Sequence, residues 1–287
     1  MFHRHTVRFA VLGATGAALV LGVSTLASAA SAPHTTPSHA APKPTVVLVN
    51  GAWSDSASWN AVIERLQAEG YPVDAPPTGL SSLSGDSAVL AGYLKTIQGP
   101  IVLVGQSYGG SVITEAATSD PEVKALVYIS AFAPDTGESA ASLTAMFPGT
   151  QLTDDPTAPI PTALTPGVYT LPDGTTGVEL YAKADQYRNL FFSDRVSSAE
   201  AAELAATQSP ITPQALDEEA SGTPAWKTIQ SWYLVADADH VIPPATERFM
   251  AARAHAHTVE ADVPHAAQVT NPGIVANLIE QAAASVD

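Results

Sequence analysis

From Thr45 onward the chain alternates short, continuously apolar, β-branched runs with segments of helical spacing. The runs are 45–49, 71–75, 100–104 and 123–131, then 231–236 and 257–261. Between them lie helical stretches at 57–68, 82–97 and 108–118, and later at 244–254 and 272–284. In the first, Trp59, Val62, Ile63 and Leu66 share one face; in the second, Leu83, Leu90 and Leu94 recur at helical intervals. A strand that is apolar at every position is buried on both faces. Strand–helix alternation supplies the cover, so the chain is expected to be α/β, with a mostly parallel sheet flanked by helices.

The rhythm breaks between about 134 and 224, a proline-rich stretch. It holds a hairpin-like segment, 168–180, that turns through Pro172, Asp173 and Gly174, and two short helical segments at 197–208 and 212–220. An insertion of this size between two strands is expected to cap the carboxyl edge of the sheet, where open α/β sheets bind ligands. The expected domain therefore spans 45–287, with the cap inside it.

The start of the chain reads differently. His3, Arg4, His5 and Arg8 form a basic beginning, 9–26 is apolar and uncharged, and Ala27-Ser28-Ala29 offers small residues for cleavage. These are the three parts of a secretory signal over 1–29. A second candidate cut follows Ala32, and an uncleaved anchor is the alternative, since the apolar run nears bilayer-spanning length. Residues 30–44, rich in Pro, Ala, Ser and Thr, read as a flexible spacer. The protein is thus expected to be secreted. Without Arg4 and Arg8 the mature chain carries 10 basic and 28 acidic residues, a net charge of −18. Such a surface repels nucleic acid and anionic membranes, so neither is expected as a partner. The chain has no cysteine, which excludes disulfides, thiolate metal sites and a cysteine nucleophile.

One turn carries the chemistry. Gly105-Gln106-Ser107-Tyr108-Gly109 follows the run 100–104 and opens a helix. Small residues two positions either side of Ser107 allow a strand–helix turn tight enough to hold the serine oxygen up at the sheet edge. The helix N-terminus offers free N–H groups to a developing negative charge. Acyl transfer needs two such donors. Tyr108 N–H is one candidate, and Ala52 N–H, in the loop Asn50-Gly51-Ala52-Trp53 after the first strand, is the other. His265 sits between the strand 257–261 and the last helix, on the same expected rim, and is the candidate general base. Asp239, in the loop after 231–236, is the candidate acid that orients it, with Asp237 as the alternative. The chain order Ser, Asp, His differs from that of chymotrypsin-like and subtilisin-like enzymes.

Taken together, these blocks resemble the α/β-hydrolase superfamily: Val46 to Trp53, Gly105 to Gly110, Asp239-His240-Val241-Ile242-Pro243 and Pro264-His265-Ala266. The branch they resemble holds small bacterial esterases akin to plant methyl-ester esterases and hydroxynitrile lyases. The resemblance implies a core of about six mostly parallel strands, a helical cap, no cofactor and no metal. It also implies cleavage of small carboxylic esters. Two positions depart from that branch: Asn50 and Gln106 stand where it usually has histidine. Lyases of the branch carry a lysine after the catalytic histidine and a threonine at the position of Gly51. Ala266 and Gly51 therefore point to an esterase.

The expected function is a serine hydrolase acting on small-molecule esters. The alternatives are a cofactor-free lyase or haloperoxidase on the same scaffold, and an inactive binding protein. Met146, Phe147, Tyr169, Tyr181, Tyr187, Phe191 and Phe192 are the candidate pocket residues of the cap, each of which otherwise belongs to its packing.

Overall fold

The structure is a computed structural model and describes residues 43–286. The signal-like segment and all of the spacer but Lys43 and Pro44 lie outside the described residues.

Six strands form one sheet: β1 (Thr45–Val49), β2 (Val73–Asp74), β3 (Ile101–Ser107), β4 (Val123–Ala131), β7 (Gln230–Ala238) and β8 (His257–Pro264). Their spatial order is β2-β1-β3-β4-β7-β8, and every pair is parallel. The period-2 alternation of a strand divides its side chains between two cores. Val46, Leu48, Val102, Val104, Val127, Ile129 and Leu234 face one side, with Trp59 just before α1 (Asn60–Ala68), Val62 and Leu66 within it, and Val275, Leu278 and Ile279 of α10 (Pro272–Ala283). Val47, Val49, Leu103, Leu126, Tyr128 and Val235 face the other. There they meet α2 (Leu83–Leu94), α3 (Tyr108–Ala116) and α8 (Pro244–Arg253). Each such fully buried aliphatic side chain contributes about 1.5–3 kcal/mol.

Local chemistry sets the ends of these elements. Asp55 accepts from Ala57 N–H and opens a 3-10 turn at Ser56–Trp59, so α1 itself begins only at Asn60. Ser82 caps α2 through Gly85 N–H, and Pro244 and Pro272 occupy first-turn positions where a missing N–H costs nothing. β2 is shorter than the expected run 71–75, because Pro72 and Pro76 interrupt the ladder on either side. β8 is longer than expected and continues through Asp262, Val263 and Pro264, which the sequence reading places in a loop. It is an edge strand, where a proline removes no ladder bond, and Ala238 pairs with Pro264. His265 therefore follows the strand end directly.

Residues 132–229 leave the sheet between β4 and β7, which are neighbours. They form α4 (Ala140–Thr144), an antiparallel pair β5 (Leu164–Thr170) and β6 (Thr176–Ala182), α5 (Ala184–Phe192), α6 (Ser198–Ala206) and α7 (Pro213–Asp217). A short helix, α9 (Ala267–Thr270), precedes α10. Arg253, at the end of α8, holds the stem of the insertion by donating to Glu138 and to the Ala133 carbonyl.

Candidate active site

Ser107 is the last residue of β3 and the entry to α3, with φ 52° and ψ −125°. A positive φ at a residue bearing a β-carbon costs about 1–3 kcal/mol and persists only where the surroundings impose it. Two glycines impose it here. A β-carbon on Gly109 would lie 2.5 Å from the Val49 carbonyl oxygen, and one on Gly110 would run into the Phe132 carbonyl oxygen. The bare backbone of α3 is thus pressed between the ends of β1 and β4, and the serine is bent outward.

The β1 exit loop packs just as closely. A β-carbon on Gly51 would lie 2.6 Å from both Ser107 Cβ and Gln106 Oε1. Asn50 ties this loop by donating to the Gly51 and Ser54 carbonyls, and its own Oδ1 accepts from Thr78. Trp53 is anchored through Nε1 to the Leu180 carbonyl and through its own carbonyl to the Tyr187 hydroxyl. The Ala52 N–H, between these anchors, has no backbone acceptor among the described residues. Tyr108 N–H belongs to the first turn of α3 and has no intrahelical acceptor. Below it, the Tyr108 hydroxyl donates to buried Asp86 at 2.9 Å. Burial, and then the Asp86 charge, push that hydroxyl far above the usual tyrosine range.

On the same rim, His265 Nδ1 lies 2.5 Å from Asp239 Oδ2, with both residues buried. Asp239 Oδ1 accepts from the Val241 and Ile242 N–H groups at 2.6 and 2.8 Å, which fixes the carboxylate plane. Gln106, directly before Ser107, donates to the His265 carbonyl at 3.2 Å and so joins the β3 and β8 ends. Among the described residues no hydrogen bond joins Ser107 Oγ to the His265 ring.

The structure thus brings together Ser107, Tyr108, Ala52, His265 and Asp239 at the carboxyl edge of the sheet. Asp237 points away and pairs with Arg248 on the surface. His240 meets the Asn189 carbonyl, and His257 stacks on Trp232. Two of the candidate cap residues, and one residue that the sequence does not single out, complete the surroundings. Tyr187 and Phe191 of α5 wall in the histidine, with the Phe191 ring 6.0 Å from that of His265. Their spacing with Leu190 is helical, a pattern hidden when the aromatics are weighed one by one. The third, Glu247 of α8, is fully buried beside Asp239.

A cavity of about 630 Å³ opens over Ser107. Phe132, Met146, Phe147, Leu152, Leu164 and Val241 give it an apolar wall, and among the described residues Asp155 is its sole charged lining residue. Of the candidate cap residues, Met146 and Phe147 line it. Tyr187, Phe191 and Phe192 are packed in the core instead, and Tyr169 and Tyr181 are exposed on the β5–β6 pair.

Residues 46–278 match the alpha/beta hydrolase family. The chain belongs to that family. It is 27% identical over 223 residues to a pyrethroid hydrolase of Sphingobium wenxiniae, covering 71% of this chain and 74% of that one. It is 34% identical over 110 residues to a carbendazim hydrolyzing esterase of a Nocardioides species, a match covering 34% of this chain and only 46% of the relative's length. Among solved structures, polyneuridine aldehyde esterase superposes with a TM-score of 0.69 at 17% identity, over 83% of this chain and 98% of that one. An extracellular α/β-hydrolase from a Paenibacillus species, described as sharing homology with tobacco salicylic acid binding protein 2, gives 0.63 at 23% identity, over 83% and 98%. These likenesses agree with the resemblance read from the four sequence blocks and with the six-stranded fold.

Proposed function

We propose that the protein is a secreted serine esterase that cleaves uncharged carboxylic esters with an apolar acyl or alcohol group. The observation that carries this reading is a strained serine on one rim with a buried histidine whose Nδ1 is held by a carboxylate 2.5 Å away.

In the proposed reaction Asp239 fixes the His265 tautomer, leaving Nε2 as the base. His265 Nε2 takes the Ser107 proton as Oγ bonds to the ester carbonyl carbon, a contact that tightens when substrate fills the cavity. Ala52 and Tyr108 N–H hold the oxyanion. The carbon–oxygen bond to the alcohol then breaks, and the alcohol leaves with the proton from His265. Water, deprotonated by the same ring, attacks the acyl-serine; the acid departs and Ser107 regains its proton. The apolar cavity wall, with no Lys or Arg in it among the described residues, disfavours anionic substrates. The relatives act, by their names, on pyrethroids and carbendazim.

The test is a panel of p-nitrophenyl and aryl esters of rising acyl length, with fluorophosphonate labelling, on wild type and Ser107→Ala. Turnover and label that both vanish in the variant support the reading; equal turnover in both proteins refutes it. Export with cleavage after Ala29 is part of the proposal, and the intact mass of protein recovered outside the cell checks it.

A further inference from the structure

Glu247 has no part in the reaction described above, yet it is among the most deeply buried ionisable groups of the molecule, with no exposed surface. Its Oε2 accepts from the Ala236 N–H at 2.8 Å. Its Oε1 is sealed from solvent and has no donor among the described residues. The carboxyl group of Asp239 lies beside that of Glu247 and acts on it as a like charge. A carboxylate has about four acceptor positions. In Asp239, Val241 N–H, Ile242 N–H and His265 Nδ1 occupy three of them. Two ionised carboxylates in contact inside a protein repel, and one of them keeps its proton.

We propose that Glu247 is a positioning residue of the site: a neutral carboxylic acid whose Oε1–H donates to Asp239 and steadies the carboxylate that holds His265. The proton belongs on Glu247 because Asp239 already has two backbone N–H groups and the imidazole at its oxygens. Glu247 has one N–H and a dry surrounding. Burial first, and then the Asp239 charge, hold its carboxyl well above the usual range. The other ionisable groups facing it are Tyr233 of β7, whose hydroxyl is likewise pushed up by burial, and Arg248 of α8, whose guanidinium lies at the surface and opposes the shift weakly. His265 acts on it through Asp239. The inference rests on the serine-esterase reading, since it gives Asp239 its role.

The sign of the pH effect follows. The unfolded chain releases this proton near pH 4.3, whereas the folded chain keeps it. The stability gained below that pH is lost as pH rises toward the folded value. Glu247→Gln has no proton to lose, its amide N–H donates to Asp239, and its carbonyl accepts from Ala236. The experiment compares Tm from pH 5 to 8 and kcat from pH 6 to 10 for wild type, E247Q and E247L. Groups common to the proteins cancel in the comparison.

The expected result is a Tm advantage of E247Q over wild type that grows with pH, and a kcat plateau that extends further into the alkaline range in E247Q. E247L is expected to lose tenfold or more in kcat relative to E247Q at similar KM. A Tm difference that stays flat across pH overturns the proton assignment. Equal alkaline limbs, or equal kcat in E247L and E247Q, overturn the positioning role. If wild type shows no turnover that depends on Ser107, the esterase reading fails. The Tm comparison then still decides whether Glu247 holds the proton.

Discussion

Replacing Gly110 by alanine adds one methyl group three residues after the proposed nucleophile, and the structure gives its consequence. The new carbon would overlap the Phe132 carbonyl oxygen and come within 2.8 Å of the Ala131 β-carbon. The overlapped oxygen is backbone at the exit of β4 and the other contact is an alanine Cβ, so no side-chain rotation relieves either. Either α3 or the end of β4 must move by roughly 1 Å. Overpacking of this kind costs about 1–3 kcal/mol. For a domain of this size each kcal/mol lowers Tm by about 2–4 °C, so a fall of roughly 2–12 °C is expected. The catalytic loss is larger, because Ser107 rides on the element that shifts, and a 1 Å misplacement costs about 100-fold in rate. The control is the same substitution at Gly92, on the exposed side of α2, where a β-carbon meets nothing within 4 Å. There alanine is expected to stabilise by up to about 1 kcal/mol through helix propensity, with kcat unaffected. Thermal unfolding and p-nitrophenyl ester kinetics on both variants decide the matter. A G110A protein with Tm within about 1 °C and kcat within about twofold of wild type would refute the idea that close backbone contact poises the serine.

Two further outcomes separate roles that the sequence leaves close together. Asp239→Asn is expected to lower kcat by about 10⁴ with the fold intact, because the amide favours the wrong imidazole tautomer. Asp237→Asn breaks only an exposed pair with Arg248, is expected to cost less than about 1 kcal/mol, and should leave turnover in place; kinetics and circular dichroism on both proteins read the difference. Ala141→Phe fills part of the cavity from α4 and is expected to reduce kcat/KM for octanoyl esters by about tenfold or more relative to acetyl esters. That corresponds to losing contact with two or more methylenes at about 0.8 kcal/mol each, and a competition assay with the two esters checks it.

The sheet and its rim were legible because burial on both faces leaves an unmistakable apolar run, and β4 falls on the residues its sequence suggests. The elbow was legible because glycine spacing is a direct record of backbone approach. What the sequence hid depends on partners far along the chain. β8 continues to Pro264 because it lies at an edge, a fact that one strand cannot disclose about itself. Asn50 and Gln106 read as departures from a family pattern. Only the fold reveals that one ties the first loop and the other clasps the chain at the histidine. Glu247 reads as an ordinary acidic residue in the first turn of a helix, a favourable place for a solvated charge. Its burial against a second carboxyl group belongs to the packing of α8 on β7.

The excursion between β4 and β7 departs from and returns to strands that lie side by side and pair over five registers. The sheet thus closes beneath it without needing anything the excursion supplies. None of Ser107, Asp239, His265, Ala52 or Tyr108 lies in the excursion, whereas Met146, Phe147, Leu152 and Leu164 of the cavity wall do. Selection can therefore rewrite what the cavity admits while the proposed bond-breaking machinery is inherited untouched.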